Sequence, residues 1–192
     1  MRSSQVLTGA LLWFGVLLTT PAPHNGLVVY PQVLYRPVMR VSKGYWFWGQ
    51  FDESSTQELT KLKAQVGRFL QGPTFDIHLT LAGPMEDIDN NIVDLFFSLK
   101  EQLYEVEVRC VSYGCREKYY QSLFIEVLKS EKLTELKSLL EKTFALEPRY
   151  FFPHISLFYG EEQESRKNSV ISQLPKVPSK AYLKKVSLVK VD

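Results

Sequence analysis

The sequence predicts a mixed helix-and-strand chain folded as two similar lobes, and three observations predict it. Short aromatic or alternating runs are separated by stretches of helical periodicity. That series occurs twice along the chain. Two of its three histidines stand at equivalent places in the two copies.

The first copy opens with the strand-like run Tyr45–Phe51 (YWFWGQF). Ser55-x-x-Glu58 has the form of a capping box and predicts a helix with Leu59, Leu62, Val66, Phe69 and Leu70 on one side. Gln71-Gly72-Pro73 ends it. Phe75–Leu81 alternates strictly and predicts a strand, Asp87–Glu101 a second helix, and Tyr104–Cys110 a further strand. The second copy runs in the same order. Tyr120–Leu128 is a strand, Ser130 precedes a helix carrying Leu133, Leu136, Leu139 and Leu140, Phe151–Leu157 is a strand, Gln163–Leu174 a helix and Leu183–Val191 a closing strand. One constant shift lays Phe75-Asp-Ile-His-Leu-Thr-Leu81 on Phe151-Phe-Pro-His-Ile-Ser-Leu157 and Trp46–Phe51 on Ser122–Val127. Such a duplication predicts lobes of about 43–110 and 119–192 related by a pseudo-twofold axis.

Composition bounds the function. Hydrophobic residues make up 45% of the 192 residues and aromatics 13%, with Gly and Pro at only 10 each, which excludes collagen-like and disordered classes. The net charge of +2 provides no long-range field to gather nucleic acid non-specifically. Two cysteines cannot form a disulfide scaffold. Function must therefore lie in a local site, on a protein expected to be monomeric.

Val6–Leu18 is apolar but would span only about 20 Å as a helix, short of a bilayer core of roughly 30 Å, so no stable membrane span is expected. Residues 1–26 read as a signal-like leader and residues 27–42 as a linker, the proline-bearing stretch Pro21–Val41 reading as extended chain rather than an element. Two localisations stay open: secretion if the leader acts as a signal, and the cytoplasm if it does not. His24 falls in this region and is read as incidental. Cys110 and Cys115 flank Val-Ser-Tyr-Gly, which reads as a turn; a small disulfide loop and two free thiols both fit.

His78 and His154 both occur as His-x-[Thr/Ser]-Leu, HLTL and HISL. Alternate residues of a strand share a face, so His78 points with Thr80, and His154 with Ser156, away from the apolar Ile77, Leu79, Ile155 and Leu157. A pseudo-twofold axis would bring the two pairs to one cleft. Imidazole gives or takes a proton near neutral pH, so one histidine can deprotonate water while the other protonates a departing alkoxide. The hydroxyls can donate to the oxygens where transition-state charge collects. No H-x-H or H-E-x-x-H spacing points to a metal site, and neither metal nor cofactor is expected.

These paired motifs, the run Pro153-His-Ile-Ser-Leu-Phe-Tyr-Gly160 and the aromatic opening strand resemble the two-histidine (2H) phosphoesterase superfamily, within it the cyclic phosphodiesterase-like branch. The resemblance covers about residues 43–192. It implies a bilobal α+β fold with an antiparallel sheet in each lobe lining a central cleft. It also implies metal-independent opening of cyclic phosphates: nucleoside 2′,3′-cyclic phosphates to 2′-phosphates, and ADP-ribose 1″,2″-cyclic phosphate to the 1″-phosphate. Carried over by position, His78 and His154 would be the acid–base pair, with His154 as base and His78 as acid. Thr80 and Ser156 would bind the phosphate. Tyr159, five residues after the second histidine, would touch the nucleotide, although simple strand parity aims it the other way. Trp46 and Trp48 could stack a base or belong to the core. The partner so implied is a small cyclic-phosphate nucleotide. RNA 3′ ends or 2′–5′ linkages are the nearest alternative, and a non-catalytic nucleotide-binding scaffold is the alternative of another class.

Overall fold

The computed structural model describes residues 43–191, the side chain of Glu101 excepted. The apolar leader, the linker and His24 lie outside the described residues. Among the described residues are six strands and four α-helices in the order β1 (Gly44–Phe51), α1 (Glu53–Val66), β2 (Leu79–Met85), α2 (Asn90–Ser98), β3 (Val106–Cys115), β4 (Leu123–Val127), α3 (Glu131–Thr143), β5 (His154–Phe158), α4 (Glu164–Ile171) and β6 (Lys180–Val191). None of these helices is long and apolar enough to cross a membrane.

Helix starts follow local chemistry. Asp52 accepts a hydrogen bond from Ser55 N at 2.8 Å and so caps α1 three residues ahead of the expected cap. Ser55 is buried instead, and its Oγ accepts from the backbone N–H of Tyr182 in β6. Ser130 caps α3 as its position predicts, accepting from Leu133 N, and Asp89 caps α2 through Ile92 N.

The strands form one closed antiparallel sheet in the order β1-β2-β5-β4-β3-β6. Exchanging the strands of the two repeats (β1 with β4, β2 with β5, β3 with β6) returns the same cyclic order, so the expected pseudo-twofold relation holds at the level of topology. The halves in space, however, are not the sequential repeats. β3 pairs with β4, and β6 pairs along its length with β1, so each repeat's closing strand crosses to the other side. The two expected sheets also join. They meet at four β3–β6 pairs and, at the opposite seam, at the single β2–β5 pair Leu79↔Ile155.

Two boundaries depart from the sequence reading. β2 begins at Leu79 rather than Phe75, because β1 offers it partners only from Gly49↔Leu79 to Tyr45↔Met85. β3 continues through the Val111–Gly114 stretch read as a turn, with an irregular register between Cys110 and Tyr113. Both cysteines thus lie in one extended strand, and five residues of strand set them roughly 16 Å apart, too far for a disulfide. The two free thiols are the reading that holds.

One face of the sheet carries the core. Phe47, Leu79, Leu81, Ile125, Ile155 and Leu157 bury against Leu59, Leu62 and Val66 of α1 and Leu133, Leu136 and Leu140 of α3. Residues of opposite parity are left on the other face, which carries the histidines.

Candidate active site

The seam pair Leu79↔Ile155 fixes the arrangement. In antiparallel register it sets His78 across from Ser156 and Thr80 across from His154. The two histidines fall on the diagonal of a four-residue tile, roughly 7–8 Å apart along the backbone. The neighbouring strands extend the tile, with Trp48 paired to Thr80 on one side and Phe124 to Ser156 on the other. Trp48 and Phe124 are themselves equivalents in the two repeats.

His78 lies just ahead of β2 and is 5% exposed. Its Nδ1 donates to the backbone oxygen of Asp76 at 2.7 Å, which leaves Nε2 as the basic nitrogen. The indole of Trp48 lies flat on the imidazole, 3.6 Å between centroids and 6° from parallel. This burial pushes the His78 pKa down to about 4; the Asp76 carbonyl opposes the shift and the nearby charge of His154 adds to it.

His154, the first residue of β5, repeats the device. Its Nδ1 donates to Phe152 O at 2.8 Å, and the phenyl of Phe152 stands 5.3 Å from the imidazole at 27°. Phe124 meets the imidazole edge-on at 5.4 Å. Burial again lowers the pKa, against the Phe152 carbonyl and aided by the positive charge of Arg116. In both motifs the residue two before the histidine supplies the carbonyl that fixes the tautomer and turns Nε2 outward.

Tyr159 reaches the site because β5 contains a bulge. Phe124 pairs with Ser156, but the next β4 residue, Leu123, pairs with Phe158, so Leu157 is an extra residue. The bulge reverses parity: Leu157 and Phe158 are both buried, and Tyr159 turns to the histidine face. Its Oη lies 3.4 Å from His78 Nε2. Burial pushes the phenol up to about 12, against a hydrogen bond with Ser156, so it remains a donor to the bare nitrogen. The Tyr159 ring stacks on Phe75 at 3.9 Å and meets Tyr120 edge-on at 5.1 Å.

Ser156 is 4% exposed and its Oγ donates to Tyr120 O at 3.3 Å, while Thr80 is half-buried beside Trp48. All five residues singled out in the sequence, His78, His154, Thr80, Ser156 and Tyr159, therefore gather on one face. Trp48, one of the two tryptophans left between stacking and core, packs on a histidine. Sequence reasoning missed Arg116 and Phe152 beside His154, and the Tyr119–Tyr120 pair beside Tyr159. The –2 spacing of Phe152 was the available signal for that residue. A separate groove of about 290 Å³, between α1 and Gly72–Phe75, contains neither histidine. Among the described residues no group of three or more His, Cys, Asp or Glu is placed to hold a metal ion.

No protein-family model and no curated protein matches the chain. Solved structures do. The Escherichia coli LigT structure complexed with 3′-AMP aligns at TM-score 0.52 and 13% identity, covering 78% of this chain and 95% of LigT. LigT in apo form aligns at 0.52 and 12%, and LigT complexed with ATP at 0.50 and 11%, with the same coverage. The chain has the LigT fold. It is α+β with an antiparallel sheet, the fold class expected from the sequence. At these identities the LigT likeness establishes architecture alone; any activity must be argued from the residues.

Proposed function

We propose that this protein is a phosphodiesterase that opens cyclic phosphates by acid–base catalysis between His78 and His154. The observation that carries this reading is the pair of imidazoles on the diagonal of one tile, each with Nδ1 bound to a carbonyl, which leaves Nε2 as the working nitrogen. A phosphate seated between them has a proton acceptor on one side and a proton donor on the other, with Thr80 and Ser156 flanking its non-bridging oxygens.

The roles we assign reverse those carried over from the family resemblance. His78 is the more buried of the two imidazoles, so it starts neutral, and it serves as base once its Nε2 exchanges the Tyr159 hydroxyl for the attacking water. It takes a proton from water as the oxygen attacks phosphorus. The P–O3′ bond of a nucleoside 2′,3′-cyclic phosphate breaks, and His154 Nε2 delivers a proton to the departing 3′ oxygen, leaving the 2′-phosphate. ADP-ribose 1″,2″-cyclic phosphate would open in the same way to the 1″-phosphate.

The test is hydrolysis of 2′,3′-cyclic AMP by the full chain in EDTA, beside His78→Ala and His154→Ala, with the product isomers separated by chromatography. The expected result is turnover to the 2′-phosphate, reduced about 10²–10⁴-fold in each variant. Absence of turnover by a folded parent, or full activity in either variant, would overturn the reading.

A further inference from the structure

Away from the histidine face, the two repeats differ in one charged detail. α1 buries Leu59, Leu62 and Val66, and α3 buries Leu133, Leu136 and Leu140 at the same spacing. In that register Lys63 corresponds to Lys137, and the side chains agree. The ammonium of Lys63 lies 3.6 Å from the centre of the Phe75 ring, and that of Lys137 lies 5.7 Å from the centre of the Phe151 ring. Phe75 and Phe151 each stand three residues before a site histidine.

In the second repeat the cation has its own anion. Lys137 and Glu141, one turn apart on α3, form an ion pair with both side chains buried. Glu141 Oε1 also accepts from the backbone N–H of Arg149 at 3.3 Å. In the first repeat the residue one turn after Lys63 is Gly67. By the shift that lays Phe75 on Phe151, Pro73, which has no N–H, takes the place of Arg149. Lys63 donates instead to the backbone oxygen of Phe75. Among the described residues no carboxylate lies within ion-pair distance of it, and Asp76 acts on it through charge alone. Burial holds the Lys63 pKa below the ordinary lysine value, as expected of a charge short of compensation.

The three residues at this point of difference border one groove. Lys63, Gly67 and Pro73 all line the space of about 290 Å³ between α1 and Gly72–Phe75, where Leu70, Leu157 and Phe158 supply apolar wall. The backbone does not require glycine at 67. Its φ is −62°, and a Cβ there would meet nothing nearer than 3.5 Å. The first repeat thus has a groove with a cation at its side where the second has a carboxylate of its own.

We infer that this groove binds a small carboxylic acid with an apolar body, its carboxylate held by Lys63 as Glu141 is held by Lys137. One cation matches one carboxylate, and the apolar wall takes the rest of the molecule. The volume is at the small end for ligand pockets, which limits that body to a short chain or a single ring. The site stands apart from the proposed hydrolysis and does not depend on it.

The test is calorimetric titration of the full chain with octanoate, with octanamide as its neutral counterpart and with inorganic phosphate. The variants are Gly67→Glu, Gly67→Ala and Lys63→Met. The parent is expected to bind octanoate about 10–100-fold more tightly than octanamide or phosphate, as suits a charge-assisted contact beside an apolar wall. Gly67→Glu builds the second repeat's ion pair into the first and should weaken octanoate by at least about 10-fold. Gly67→Ala adds no charge and should bind octanoate as the parent does. Lys63→Met should erase the difference between octanoate and octanamide; if that variant does not fold, the two Gly67 variants decide. Amide NMR signals should move at the end of α1 and in Gly72–Phe75 as octanoate is added. No binding of octanoate, equal affinity for octanamide, or undiminished binding in Gly67→Glu overturns the site. Amide shifts confined to the histidine face overturn it as well.

Discussion

The indole of Trp48 covers one whole face of the His78 imidazole, with the two planes 6° from parallel. Trp48 sits on β1 and is paired to Thr80, so the stack is set by strand register. It removes water from a group whose charged form needs water. Burial of this kind is the main physical reason that the His78 pKa lies near 4, and the indole is the largest flat surface laid on the ring.

Replacing Trp48 with leucine should therefore raise that value toward the ordinary 6.5 while keeping the strand apolar. The check is an NMR titration of the histidine Cε1 protons, assigned with His78→Gln and His154→Gln. A His78 signal that still titrates near 4 in Trp48→Leu would show that the indole is not the cause.

The pH dependence of catalysis follows from the assigned roles. The base His78 must be neutral, so kcat/KM should rise as pH passes about 4. The acid His154 must be protonated, and its pKa is held below 6.5, so kcat/KM should fall again before neutrality. The optimum then lies on the acid side, between about 4 and 6.5. A profile centred above pH 7 would break the assignment of this reaction to the two buried imidazoles; the limits of the bell are the same with the two roles exchanged, since the imidazoles titrate as a coupled pair.

The parts of this structure legible in the sequence are those written in periodicity. The histidine–hydroxyl pairs, the apolar residues behind them and the order of elements all follow from which side of a strand or helix is buried, and that is local information. What could not be read depends on partners distant in the chain. β2 starts at Leu79 because β1 ends its ladder there, and β3 runs through Val111–Gly114 because β4 pairs with it. The crossing of the closing strands leaves no trace in the repeat pattern. Arg116 carries no motif; it gains meaning only where Phe152 and Lys167 are folded against it.

The extension of β3 also decides the chemistry of the cysteines. Cys110 is half-buried with its pKa raised to about 11 by desolvation and by the charge of Glu58, and Cys115 Sγ donates to Asn168 Oδ1. Neither is a ready thiolate at neutral pH. Protein purified without reductant should thus take up two alkyl groups per chain on denaturation, measured by intact mass. A single mass two daltons lower with no alkylation would reveal a disulfide and would require β3 to break at Val111–Gly114.

Gly160 is the residue on which the position of Tyr159 depends most directly. Its φ of +150° is open to glycine and strained for other residues, and a Cβ there would stand 2.6 Å from Cζ of Phe158. Phe158 owes its buried place to the bulge at Leu157, and the same bulge aims Tyr159 at His78. Gly160→Ala should therefore cost about 1–3 kcal/mol in denaturant unfolding. It should also lower kcat/KM more than Tyr159→Phe does, because the latter removes one hydroxyl whereas the former displaces the ring stacked on Phe75. The NMR titration separates the two variants further. Tyr159→Phe leaves His78 covered by Trp48 and its pKa low, while Gly160→Ala admits water beside the imidazole and raises it. A Gly160→Ala protein with parental stability and an unshifted His78 would mean that the turn after β5 tolerates a side chain, and that the bulge alone holds Tyr159 in place.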